Sequence, residues 1–218
     1  MDTGRRFPIG ACLLMAIPIV LAGVAYPQSR QDFFGDLGGL RGEQGDPAEL
    51  PPELWPDRYL AGCHMFYTSV RREDNGAGWR TDYPWAQRNL LLRLSELTKT
   101  GVSWRTPGVA HVYLVRLTDP ALFECPYVMA SDVGTIGLLA EEADNLRRYL
   151  EKGGLLWVDD FWGKAAWEQW SHELSKAIPV GEYKVEDVPL SDPIFHAMLG
   201  VRKVPQVPGI GFWRRYGD

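Results

Sequence analysis

Asp159 and Asp160 are the residues best placed for chemistry, because two adjacent carboxylates directly follow the apolar run Leu155-Leu156-Trp157-Val158. Paired carboxylates hold a hard cation through their oxygens, or share one proton between them. Asp82 joins them if its loop lies at the same end of the fold. His196, in the loop after Asp192-Pro193-Ile194-Phe195, is a candidate imidazole neighbour. Trp162 follows the acids and offers a flat ring to a ligand, as does Trp79. Each reading has a plainer rival. One aspartate caps the next helix and the other bonds a loop amide, while Trp167 and Trp170 stand at the spacing of a helix core face. No His/Cys/Asp cluster has recognisable metal-ligand spacing, so no cofactor is expected, and a divalent cation at Asp159 and Asp160 is the open exception. His64 and His111 fall in strand-like runs and His172 in a helix, so none of the three is a candidate ligand.

The elements that must carry these residues alternate. Tyr59–Val70 reads as a first strand. Asp82 caps a helix entered through Pro84, with Ala86, Leu90, Leu91, Leu94 and Leu97 on its apolar face. Ala110–Leu117 is a second strand and Tyr127–Ala130 a short third. Leu139, Ala143, Leu146 and Leu150 recur at helical spacing. Glu141 and Glu142 stand in the early turns and Arg147, Arg148 and Lys152 in the last ones, matching the helix dipole. Gly153-Gly154 ends that helix. Leu155–Val158 then reads as a strand buried on both faces. A helix closes before Pro179, Tyr183–Val188 is a further strand, and Pro193–Leu199 a short helical turn. Strands alternating with helices imply a doubly wound parallel α/β sheet with right-handed crossovers. Ligands of such sheets collect beyond the carboxyl ends of the strands.

The start of the chain reads as an address. Arg5 and Arg6 precede the uncharged apolar run Ile9–Ala25, and Gly23 and Ala25 are small residues before a cut after Ala25. These are the three parts of a secretory signal peptide, so residues 1–25 are assigned as a signal and the protein as exported, periplasmic or extracytoplasmic. The alternative keeps residues 9–25 as an inner-membrane anchor. Residues 26–58, rich in Gly, Pro and acid, form a flexible linker, and residues 59–218 one α/β domain. An exported Cys63 and Cys125 either form a disulfide or remain reduced as small core hydrophobes.

Composition bounds the rest. The 218 residues are 45% hydrophobic and 23% charged with a net charge of −5. A collagen-like, disordered or disulfide-scaffold chain is excluded, and nothing suggests a nucleic-acid partner.

Several motifs together resemble a bacterial family known as domain of unknown function 4159. They are Trp79-Arg80-Thr81-Asp82-Tyr83-Pro84, Asn89-Leu90-Leu91, Leu97-Thr98, Cys125-Pro126-Tyr127, Leu146-Arg147-Arg148-Tyr149-Leu150, Gly153–Asp160 and Val204-Pro205-Gln206-Val207-Pro208-Gly209. The resemblance spans about Tyr59 to Trp213. It implies a flavodoxin-like, three-layer sandwich like the class I glutamine amidotransferases, in exported or membrane-tethered proteins, and it brings no established activity. It also implies a further strand and an acidic, Trp-containing loop beyond Asp218, which marks this chain as C-terminally truncated. An amidotransferase site needs a cysteine on the strand-to-helix turn. Here the turn reads Ala130-Ser131-Asp132-Val133-Gly134, without cysteine and without the Gly-x-Ser-x-Gly pattern that would make Ser131 a nucleophile. The leading expectation is a non-catalytic module of the cell envelope that binds a small ligand or protein partner. The alternatives are a hydrolase or metal-assisted enzyme using the carboxylates, and a membrane-anchored assembly protein.

Overall fold

The computed structural model describes residues 48–53, 55, 57–73, 76–179, 181–204 and 214–215. The expected signal or anchor at residues 1–25 and most of the linker lie outside the described residues. Its centre is a four-stranded parallel sheet of β1 (Gly62–Phe66), β5 (Val112–Arg116), β6 (Tyr127–Ser131) and β8 (Leu155–Asp159), in the order β5-β1-β6-β8. β1 and β5 stay in register from Gly62↔Val112 to Phe66↔Arg116, and β6 and β8 from Tyr127↔Leu155 to Ser131↔Asp159. Helices α1 (Trp85–Leu97), α2 (Ala140–Glu151) and α3 (Gly163–Ala177) complete a three-layer α/β fold. Two small antiparallel pairs flank it: β2 (Thr68–Ser69) with β7 (Ile136–Gly137), and β3 (Trp104–Thr106) with β4 (Val109–Ala110). The chain winds outward from β1 in both directions, so the topological switch point lies between β1 and β6.

The core follows from the strand residues. Cys63, Met65, Val112, Leu114, Val128 and Ala130 are buried with Ala143, Leu146, Tyr149 and Trp170 of α2 and α3. Fully burying an aliphatic side chain of this kind stabilises by roughly 2 kcal/mol. α1 buries Gln87, Arg88 and Leu91, and Leu91 packs with Val102 and Ala110. Leu97, assigned from spacing to its apolar face, is exposed. Gly153 takes φ +90° just past α2, the left-handed stop that glycine accepts without strain.

Five local expectations are corrected. The first strand is broken at Tyr67, whose buried ring turns β2 away from the sheet to pair with β7. β8 is an edge of the described sheet, with Leu155 58% and Trp157 44% exposed. An unbroken apolar run does not report whether a strand is flanked on both sides, and here only Leu156 and Val158 pack toward the core. Residues 183–188 form no strand, and Tyr183, Val185 and Val188 are exposed. Leu139 is the exposed N-cap of α2 instead of a core position. The end of the linker is not a free tether: Glu49 bridges to Tyr113 in parallel, and Trp55 meets the Tyr113 ring edge-on at 5.0 Å.

Two buried contacts tie β1 to its neighbours. Cys63 and Cys125 form a disulfide across the β1–β6 boundary, so the paired alternative holds. His64 Nε2 lies 2.6 Å from the Trp79 carbonyl and Nδ1 lies 3.0 Å from Gln87 Oε1, while Gln87 Nε2–H donates to the Cys63 carbonyl at 2.7 Å. Both ring nitrogens face oxygens, so a neutral ring donates to one of them and leaves the other contact without a proton. Burial opposes the charge of a second proton and lowers the His64 pKa to about 4, against smaller raising effects from the two hydrogen bonds.

The disulfide closes a 62-residue separation. Removing it in a Cys63→Ala/Cys125→Ala variant is expected to cost about 4 kcal/mol through chain entropy, read by urea denaturation; equal stability would show that the crosslink constrains nothing. For His64, the unfolded ring gains its proton near pH 6.5 and the folded ring only near pH 4. Stability is therefore lost as pH falls through that window, by up to about 3 kcal/mol. In a His64→Asn variant this part of the slope should vanish from a pH series of denaturation midpoints, and an unchanged slope would reject the assignment.

Candidate functional site

The carboxyl ends of β1, β6 and β8 bring acids from separate segments to one crest. β6 ends at Ser131, and Asp132 follows at φ 53°, ψ 38° before the 3-10 turn Val133–Thr135. β8 ends at Asp159, followed by Asp160 at φ 51°, while Asp82 has φ 59° in the loop before α1. Asp is one of the few L-residues that enters this left-handed region routinely, and it does so at a cost of about 1 kcal/mol. Three aspartates in that conformation therefore mark turns whose side chains have been aimed.

Tyr67 fixes the turn after β6. Its buried hydroxyl donates toward the Ser131 and Asp132 carbonyls, each at 2.7 Å, and meets Thr135 Oγ1 at 3.3 Å. Burial raises the Tyr67 pKa, so the phenol keeps its proton for this clamp. The Asp132 side chain accepts from the Gly78 N–H at 2.7 Å. Gly78 has φ 61°, and a Cβ there would stand 2.6 Å from Ser69 Oγ, so glycine alone permits this close approach. On the other side stands Glu73, hydrogen-bonded to Asp132 and paired with Arg71, whose Nη1 also donates to the Gly134 carbonyl at 2.6 Å.

Burial pushes the Asp132 pKa up to about 7. The Glu73 charge, the proton shared with it and the Asp160 charge add to that shift, against the Gly78 N–H, which favours the ionised form. Asp159 is also raised, mainly by burial and then by the charges of Asp160 and Asp82, while the Ser131 hydroxyl, donating to Oδ1 at 2.7 Å, holds it down. The charges of the crest thus act on Asp132 and Asp159, and burial holds a proton on Asp132 up to about pH 7.

Of the residues singled out from sequence, Asp82 and Asp160 are both brought within electrostatic reach of Asp159. Neither acid after β8 caps α3: Trp162 is its N-cap, with no side-chain capping bond. Asp160 instead accepts from the Trp162 indole N–H at 2.8 Å, which places Trp162 at the rim. His196 is engaged in its own loop, with Nε2 at 2.8 Å from the Leu190 carbonyl. The expected cap at Asp82 is absent, since α1 begins after Pro84 without a side-chain bond. Trp79 is buried and cannot stack on a ligand, whereas Trp167 is 44% exposed. Ser131 is wholly buried with its hydroxyl committed to Asp159, so it is no nucleophile. Among the described residues no group of three or more His, Cys, Asp or Glu is arranged to hold a metal ion.

Asp132 and Glu73 are the site residues that sequence reasoning passed over. An amidotransferase-like turn directs attention to a cysteine or serine at that place, and not to an acid. The available signal was an aspartate directly after a buried strand, where the chain must turn sharply.

An acid that binds its proton more tightly folded than unfolded loses stability as pH rises from the ordinary carboxylate range, near 4, to about 7. An Asp132→Asn variant keeps the left-handed turn and removes the charge. It is expected to be more stable than the parent at pH 8 by about 2 kcal/mol, once the shared proton and solvent screening are discounted, and to differ little at pH 4. Thermal unfolding at the two pH values checks this; a variant less stable at pH 8 would show that the Asp132 charge is not the costly element.

No curated protein matches the chain. A family model does, over residues 68–216, which take in the crest from Glu73 to Trp162, and the chain belongs to the family it defines, described as a domain of unknown function (DUF4159).

Proposed function

We propose that the protein is a binding module of the cell envelope that takes a small ligand at the carboxyl edge of its sheet, through Asp82, Asp159 and Asp160 above the buried Asp132. The observation that carries the reading is the convergence of these acids, three of them on left-handed backbone, along the carboxyl ends of a parallel sheet beside its topological switch point, where open α/β sheets bind ligands. The chemistry of the crest selects a ligand that presents hydrogen-bond donors or positive charge, an organic amine or a polyol. A hydrated divalent cation belongs to the same class and would keep much of its water against these acids. Trp162 at the rim supplies an apolar surface. The envelope assignment is supported by the basic, apolar and small-residue pattern of residues 1–25 and by the Cys63–Cys125 disulfide, a bond that persists in oxidising compartments.

A second reading has one observation of its own. Asp132, with its pKa at about 7 beside Glu73, has the poise of a general acid–base in a hydrolase. In that case hydrolysis of a glycosidic or ester substrate would show a pH limb near 7 that disappears in Asp132→Asn.

The leading reading is tested by thermal shift of the exported chain against magnesium, calcium, a diamine and an amino sugar, with Asp159→Asn/Asp160→Asn as reference. A ligand at about 100 times its Kd should add about 2.7 kcal/mol to the parent. The doubly substituted chain should lose most of that gain. If no member of the panel separates the two proteins, the carboxyl edge is not the binding site.

A further inference from the structure

A second charged cluster lies along the outer edge of β5, at the opposite end from the crest, and its carboxylate comes from the segment that precedes β1. Glu49 runs parallel to β5: its carbonyl accepts from the Leu114 N–H at 2.7 Å, and its own N–H donates to the Tyr83 hydroxyl at 3.2 Å. Its side chain meets three basic groups. Oε1 accepts from Arg88 Nη2 at 3.0 Å and from Arg105 Nη1 at 3.1 Å, and Oε2 stands 2.8 Å from His111 Nδ1. These groups come from α1, from β3 and from the residue before β5, so the domain itself assembles them. Arg88 is the deepest, with 7% of its side chain exposed, and Glu49 retains only 13%. His111 is further held by stacking on Tyr113 at 5.4 Å.

Strand addition at a sheet edge supplies backbone hydrogen bonds, and a pocket for one side chain supplies selectivity. Both are present. Oriented guanidinium donors around one carboxylate are the strong form of charge-assisted bonding. We propose that the β5 edge, with Arg88, Arg105 and His111, is a receptor site for an extended segment bearing a glutamate, and that Ala48-Glu49-Leu50 of this chain is its ligand in cis. The contact of Ala48-Glu49-Leu50 with the β5 edge is then a latch that binds, and not merely a place where the chain continues. This site shares no residue with the acidic crest, so the two proposals stand or fall separately.

A receptor keeps its cations in place when the ligand carboxylate is removed, and accepts another from solution. An incidental ion-pair network does not. The probe is acetate, titrated against chloride at constant ionic strength into the full chain carrying Glu49→Ala. The expected result is a saturable rise in Tm of about 3 °C, with the His111 ring resonances moving at the same midpoint. The parent chain should show no such response, and adding Arg105→Ala should weaken the acetate effect about fivefold. Folding of Glu49→Ala in acetate but not in chloride would be the same positive result. A folded variant indifferent to acetate, or one that fails to fold in both salts, overturns the proposal.

Discussion

The Tyr67 hydroxyl makes the contact on which the carboxyl edge depends. Asp132 must leave β6 through a left-handed turn, which the backbone adopts only if something holds it. One buried phenol reaches the two successive carbonyls of that turn and the Thr135 hydroxyl. It comes from the residue at which β1 leaves the sheet, so the strands on either side of the switch point are locked at their ends. Several kcal/mol would be needed to leave those carbonyls buried and unmet. The clamp therefore sets where Asp132 stands, and through Gly78 N–H it also sets where the loop carrying Asp82 must pass.

What the sequence could and could not convey divides along physical lines. Period and punctuation reveal the alternating elements, because a helix needs an apolar stripe and a glycine stop, as at Leu146 and Gly153. They also place Asp159 and Asp160 at a strand's carboxyl end. They do not tell an edge strand from a central one: Leu155-Leu156-Trp157-Val158 would read the same in either place, and only its neighbours decide. Nor do they reveal which polar residues are buried. Gln87 and Arg88 sit on the inner face of α1 because His64 and Glu49 reach them across 23 and 39 residues. The apolar spacing of that helix, taken alone, pointed to Leu94 and Leu97. Asp132 was hidden for a related reason. Its significance lies in a backbone conformation and in Glu73, neither of which a list of reactive residue types contains.

The two strongly shifted groups act on stability in opposite directions. Burial keeps His64 neutral, so acid conditions work against the fold there. Burial and Glu73 keep Asp132 protonated, so neutral and alkaline conditions work against the fold at the crest. Between pH 4 and 7 the two partly cancel, and a flat stability profile of the whole protein would conceal both. His64 lies in the core, where its cost reflects packing of a polar ring between β1 and α1. Asp132 is buried at the carboxyl end of the sheet, where an uncharged residue is expected to cost the fold less above pH 7. An ionisable carboxyl kept in a buried turn at the expense of stability, in the place where α/β sheets bind ligands, is the pattern expected of a site more than of a structural network.

The two edges of the described sheet are treated differently, and the difference bears on how the module is held. An exposed edge strand presents unpaired N–H and C=O groups that invite pairing with another chain. At β5 the chain's own Glu49 segment occupies that edge, in parallel and with its carboxylate anchored. At β8 no described segment does so, and Leu155 and Trp157 remain exposed beside it. Glu49 bridges to Tyr113, the second residue of β5, so the occupied part of that edge is its amino half, at the opposite end of the strand from the acids. The sheet itself therefore stands between the anchored carboxylate of Glu49 and the crest, and the two charged clusters are kept apart by the layer that builds both.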